Sequence, residues 1–148
     1  MAKILVVDDE TDLEVLIKQK FRQKIRENKY EFVFAINGKH ALEQLALHED
    51  VDVILSDINM PEMDGLTLLT KLSEQNSLLK SVIVSAYGDM ENLRTAMNRG
   101  AFDFITKPVN FEDLELTMEK TLKHVRQMRE TMAAIKENNI LKMYVDET

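Results

Sequence analysis

Ile4-Leu5-Val6-Val7-Asp8-Asp9-Glu10 is the stretch whose reading decides the fold. A continuous run of apolar, mostly β-branched residues is what a strand buried on both faces requires, and here the run stops on a pair of acids. The pattern recurs along the chain. Val51-Asp52-Val53-Ile54-Leu55-Ser56 leads to Asp57, Val82-Ile83-Val84 leads to Ser85, and Phe102-Asp103-Phe104-Ile105 is stopped by Lys107-Pro108. Glu31-Phe32-Val33-Phe34-Ala35 completes a set of five strands.

Helical patterns lie between them. Thr11 or Asp12 is placed to cap a helix with apolar positions at Leu13, Leu16, Ile17, Phe21 and Ile25. Asn37-Gly38 is a turn signal before Ala41, Leu42, Leu45 and Ala46. Gly65 opens Leu66, Leu68, Leu69 and Leu72; Asp89 precedes Leu93, Ala96 and Met97, and Gly100 has the position of a helix-ending C′ residue. Strands alternating with helices over short connections predict right-handed crossovers and helices on both faces. The expected fold is therefore α/β, a (βα)5 doubly wound, five-stranded parallel sheet with an extended C-terminal helix.

In an open parallel sheet the carboxyl ends of neighbouring strands meet at one crevice, and ligands bind there. Asp8, Asp9, Asp57, Ser85 and Lys107 all follow strand ends, so this topology brings three carboxylates, a hydroxyl and an amine together. Each has an ordinary explanation taken singly: acids favour helix N-termini, and most lysines are surface residues. Taken together they do not, because clustered carboxylates repel unless a cation neutralises them. A hard, oxygen-seeking ion such as Mg²⁺ (Mn²⁺ is the alternative) suits these donors, and the set describes metal-assisted phosphoryl transfer.

Composition narrows the remaining classes. A net charge of −7 argues against a nucleic-acid surface, which needs clustered Lys and Arg. The absence of cysteine removes disulfides and thiolate chemistry. Met1-Ala2-Lys3 runs directly into a strand and no apolar run reaches the ~20 residues of a membrane span, so a soluble cytoplasmic protein is expected. His40, His48 and His124 show neither triad nor metal spacing and are read as surface residues. Lys18, Lys20, Arg22, Lys24, Arg26 and Lys29 make the first helix basic, which is read first as a solvated face and second as a dock for an acidic partner helix.

Leu5-Val6-Val7-Asp8-Asp9-Glu10, Leu55-Ser56-Asp57-Ile58-Asn59-Met60-Pro61-Glu62-Met63-Asp64-Gly65, Val84-Ser85-Ala86 and Ile105-Thr106-Lys107-Pro108 together resemble the receiver domain of two-component response regulators, a flavodoxin-like fold. The resemblance covers residues 1–125. It implies that Asp57 accepts a phosphoryl group from a phosphohistidine on a sensor histidine kinase or histidine phosphotransfer protein. Asp9, Asp57 and the backbone carbonyl of Asn59 would hold Mg²⁺, with Asp8 helping through coordinated water, and Lys107 would pair with a phosphoryl oxygen. Ser85 and Phe104 would form the switch, with a cis Lys107-Pro108 bond nearby. Phe104 lacks the hydroxyl of the commoner tyrosine, which leaves rotameric packing as its only device. Asn59 and Tyr87 are expected to tune dephosphorylation, Tyr87 by shielding the acyl phosphate from water. Such a domain is not an enzyme apart from its own phosphorylation and dephosphorylation.

Two readings compete. A haloacid dehalogenase-like phosphatase needs its two acids two residues apart, whereas Asp8 and Asp9 are adjacent. An unphosphorylated dimeric scaffold with a vestigial site would not need to keep the full set.

The segment from Asn110 onward lacks glycine and proline and exceeds a crossover helix. Helical to about Leu141, it would extend ~45 Å. Leu114, Met118, Thr121, Val125, Met128, Met132, Ile135 and Asn139 follow steps of four and three, a heptad seam with a polar residue at a core position. The first half of that seam is expected to pack on the sheet. Residues 126–148 are expected to form a coiled-coil linker or a homodimerisation segment, leading to an output domain outside this chain.

Overall fold

The computed structural model describes residues 1–75 and 78–146. Five strands, β1 (Ala2–Val7), β2 (Tyr30–Ala35), β3 (Val53–Asp57), β4 (Lys80–Ala86) and β5 (Asp103–Lys107), form one sheet in the order β2-β1-β3-β4-β5. All four pairings are parallel. The helices are α1 (Asp12–Lys20), α2 (Arg22–Arg26), α3 (Gly38–Leu47), α4 (Gly65–Glu74), α5 (Met90–Asn98) and α6 (Phe111–Asp146).

The period of two along each strand divides the core into layers. Ile4 and Val6 of β1, with Val53, Leu55, Val82 and Ile105, face Ile17, Phe21, Leu114, Met118 and Leu122. Leu5, Val7 and Ile54 face Ala41, Leu68 and Leu72 on the other side, while Ile83 packs with Leu69 and Ala96. Both faces are thus covered, as the uninterrupted apolar runs demand. Each buried Leu or Ile side chain contributes roughly 1.5–3 kcal/mol to holding these layers.

Several boundaries differ from the sequence reading. The first helix is interrupted at Phe21 (φ −104°), whose ring is gripped by Tyr30, Phe32 and Phe111 at centroid distances of 5.9, 5.7 and 6.4 Å. Neither expected cap acts at its start: Thr11 sits in the helical region with no side-chain cap bond, and Asp12 is already the first helical residue. Asn37, read as part of a turn, is the true cap of α3 and accepts the His40 amide. Gly100 ends α5 as expected, with φ 104°. The histidines are half-buried at the surface: His40 Nδ1 accepts the Ile36 amide, and His124 stacks on Phe102 at 4.8 Å.

Helix α6 reaches Asp146, beyond the expected Leu141, and at 1.5 Å per residue is ~54 Å long. Leu114, Met118, Thr121 and Val125 are buried as the seam predicts, together with Leu122, which the heptad pattern missed. Beyond them Met132, Ile135, Ile140, Leu141, Met143 and Tyr144 are exposed. Glu147 and Thr148, which belong to the expected linker, lie outside the described residues. Arg129 of α6 pairs with Asp52, which stands just before β3 and also accepts the Lys3 amide at 3.0 Å. No helix among the described residues is long and apolar enough to cross a membrane.

Candidate functional site

The carboxyl ends of β1, β3 and β5 carry the charged residues picked out from the sequence. Asp8 follows β1 directly, and its amide donates to Ala35 O at 3.0 Å, continuing the pairing with β2. Its Oδ1 accepts the Glu10 amide at 2.9 Å, which fixes the carboxylate at the turn into α1. Asp57 is the last residue of β3, and its Oδ1 accepts the Ile58 amide at 2.8 Å. One oxygen of each acid is therefore held by backbone.

The other oxygen of each faces Lys107. Its ammonium is 3.2 Å from Asp57 Oδ2 and 3.4 Å from Asp8 Oδ2. Carboxylate oxygens of Asp8, Asp9 and Asp57 lie within 4.8 Å of one another. Asp8 is buried, Asp57 half-buried and Asp9 exposed, so the cluster opens to solvent on one side. Burial raises the Asp8 pKa, and Asp57 pushes the same way, against the Glu10 amide and Lys107, which lower it. Burial would lower the Lys107 pKa, but the charges of Asp57 and Asp8 outweigh it and the ammonium is held above its ordinary value. Three acids against one base leave an excess of negative charge that a divalent cation fits, and every donor is a hard oxygen.

The loop after Asp57 is tightly held. The Gly65 amide donates to Ile58 O at 2.8 Å, and Asp64 caps α4 by accepting the Thr67 amide. A Cβ at Gly65 would stand 2.1 Å from the Asp57 carbonyl oxygen. Only glycine lets α4 approach the end of β3 so closely. Asn59 lies on this loop, exposed, between Ile58 and Pro61.

The remaining expected residues are less closely joined. Ser85 is buried at the end of β4, in register with Thr106 of β5, and its hydroxyl donates to Ala86 O at 3.4 Å. Phe104 is 40% exposed and lines an apolar groove with Met90, Leu93, Arg94 and Met97. Tyr87, two residues past Ser85, is 88% exposed. The Lys107-Pro108 peptide is cis.

Three of the six basic residues picked out in and after the first helix are in ion pairs. Lys18 meets Glu14 at 2.8 Å, Lys29 meets Glu27 at 3.2 Å, and Lys24 pairs with Glu115. The sequence reading did not pick out Gly65 for its closeness to Asp57, or the amides of Glu10 and Ile58. Asp64-Gly65 directly after the Asp57 loop was the one local signal for the first of these.

An order of 2-1-3-4-5 with an acidic crevice at the carboxyl edge defines a doubly wound module whose acids lie at the topological switch point, where such folds take ligands. The family model for the response regulator receiver domain matches residues 4–119. The chain belongs to that family. It is 33% identical over 125 residues to the transcriptional regulatory protein ZraR of Escherichia coli (strain K12), covering 84% of this chain and 27% of that protein. It is 30% identical over 138 residues to the regulatory protein AtoC of the same organism, covering 88% and 29%. The chain thus spans less than a third of the curated relatives it matches. Among solved structures, NtrX from Brucella abortus superposes with a TM-score of 0.77 at 32% identity, over 89% of this chain and 30% of that one. A receiver domain protein from Clostridium thermocellum gives 0.73 at 26%, over 86% and 99%.

Proposed function

We propose that this domain is a phosphoacceptor switch in which Asp57 takes a phosphoryl group from a phosphohistidine of a sensor histidine kinase or histidine phosphotransfer protein. The observation that carries the reading is the pairing of Lys107 with both Asp57 and Asp8 inside a three-carboxylate cluster. Asp57 Oδ attacks phosphorus in line, the phosphorus–nitrogen bond breaks, and the electron pair leaves with the imidazole nitrogen. Asp8, Asp9, Asp57 and the Asn59 carbonyl are the residues that would hold Mg²⁺, or Mn²⁺. When bound there, such a cation would supply charge neutralisation for the carboxylates and the transferring oxygens. Lys107 already faces the Asp57 oxygen that is not committed to backbone, so it can follow a phosphoryl oxygen as charge builds.

Phosphorylation adds about −1.5 to −2 charges at neutral pH. Ser85 lies near the end of β4, the strand between those of Asp57 and Lys107, where its hydroxyl could answer that charge, and Phe104 is the aromatic on the next strand. We assign the two to the switch. Asn59 and Tyr87 flank the acids and would set how readily water reaches the acyl phosphate. The exposed Met132 and Ile135 support homodimerisation through α6, which would carry the change to an output domain or partner. A phosphohistidine donor of this kind implies a cytoplasmic setting.

Acetyl phosphate or phosphoramidate with Mg²⁺, followed by intact mass measurement, tests the reading. A stoichiometric adduct lost in Asp57→Asn is expected. Steady turnover of phosphate esters would favour a phosphatase, and no adduct would favour a scaffold.

A further inference from the structure

Helix α3 begins at Gly38, and the first amides of any helix have no partner within it. Asn37 Oδ1 takes the His40 amide, and the Gly38 amide is taken from outside the helix, by the carbonyl of Met63 at 2.9 Å. Met63 belongs to the loop that follows Asp57. Gly38 is buried, and a Cβ there would stand 2.6 Å from Met63 Cγ and 2.9 Å from the Met63 carbonyl oxygen. The side chain of Met63 could turn aside, but its carbonyl could not stay where it is.

The loop is therefore gripped twice. Ile58, buried, is bonded by the Gly65 amide on one side of Asn59, and Met63 is bonded by Gly38 on the other. Met63 also packs into the layer of Val7, Ala35, Ala41 and Leu68. Between the two grips the chain turns sharply, with Glu62 at φ 66° and the Met63 amide returning to Pro61 O at 2.8 Å. A short segment fixed at both ends transmits a displacement at either end to its middle.

We propose that Gly38 is a positioning residue for the metal site: by latching Met63 it holds the Asn59 carbonyl where a divalent cation can use it. This rests on the reading of Asn59 as a ligand. The contact joins α3 to the acids without touching any of them, and it requires residue 38 to lack a side chain.

The test is Mg²⁺ affinity, measured by thermal shift on the whole chain, with phosphorylation by acetyl phosphate as a second readout. Gly38→Ala is expected to weaken Mg²⁺ binding about tenfold, the size of effect seen when groups that orient metal ligands are lost. The Mg²⁺ concentration for half-maximal phosphorylation should rise equally, while the yield at saturating Mg²⁺ approaches that of the parent. Met63→Ala added to Gly38→Ala should recover part of the affinity, because it removes the Cγ and Sδ clashes. Should Gly38→Ala fail to fold, amide exchange in the unmodified protein decides: if the latch and the cation are coupled, Mg²⁺ must slow exchange of the Gly38 amide. Equal Mg²⁺ affinity in the parent and Gly38→Ala, or a Gly38 exchange rate indifferent to Mg²⁺, overturns the latch while leaving the metal site intact. Absence of Mg²⁺ binding in the parent overturns both.

Discussion

Lys107 reaches Asp57 across an intervening strand: the two residues end β5 and β3, β4 lies between them, and the ammonium and carboxylate are 3.2 Å apart. The contact closes the crevice over the end of β4, where Ser85 sits. Asp57 and Lys107 thus tie the ends of β3 and β5 together across β4.

Lys107→Ala separates two roles of that contact. Removing a cation beside three carboxylates should strengthen Mg²⁺ binding, since like charges then dominate the crevice. The same change should slow phosphorylation by about tenfold or more, because no ammonium meets the developing charge. Titration by thermal shift, alongside intact-mass time courses, would show both; a parallel loss of the two would contradict the assignment.

Asp8 gives a pH-dependent prediction. Its pKa is raised above the ordinary 3.8 by burial first and Asp57 second. The folded protein therefore holds this proton more tightly than the unfolded chain, so the stability linked to it is present at low pH and lost as pH rises through the folded pKa. At neutral pH the metal-free protein carries an ionised, buried Asp8 at a cost. Asp8→Asn should melt higher than the parent at pH 7 without metal, and the gap should close toward pH 3.8 and below. With Mg²⁺ at 100 times its Kd the parent gains about 2.7 kcal/mol, and the variant less. Melting curves at two pH values with and without Mg²⁺ check each part.

Gly65→Ala should destabilise the domain by roughly 1–3 kcal/mol, as overpacking does, since the atom in the way is the backbone oxygen of Asp57. Urea unfolding measures this. An unchanged midpoint would mean that α4 can slide away from β3 freely.

The seam on α6 makes a prediction about assembly. Met132→Glu with Ile135→Glu should abolish any dimer seen by sedimentation, yet leave phosphorylation of Asp57 unaltered, because both side chains are exposed and neither belongs to the core layers. Beryllium fluoride, a phosphoryl mimic, added to the unmodified chain would show whether assembly depends on the modification.

The sheet was readable from the chain because a strand covered on both faces has no polar side to hide, so Ile4–Val7, Val53–Leu55 and Val82–Val84 stand out as unbroken apolar runs. The acids were readable because each directly follows such a run. Contacts that depend on loops and helix faces rather than on strand ends were not. Gly38 and Met63 meet only after α3 and the Asp57 loop are placed, and nothing local to either announces the other. Asp52 stands within the run Val51–Ser56 with no local sign of its role, and it is the buried partner of Arg129, 77 residues away. The break at Phe21 followed from aromatic packing, which helical periodicity does not register. Leu122 lay off the heptad steps because α6 offers the sheet a wider stripe than a coiled-coil partner needs.

The pairing of Asp52 with Arg129 fixes where the two ends of this molecule point. The acids lie at the carboxyl ends of the strands, and Asp52 stands at the amino end of β3, some five residues or roughly 17 Å away. Helix α6 starts beside the acids, runs back along the sheet, and is tied down at the far edge before it projects. A protein that delivers phosphate and a body grafted onto α6 would therefore meet this domain at opposite poles.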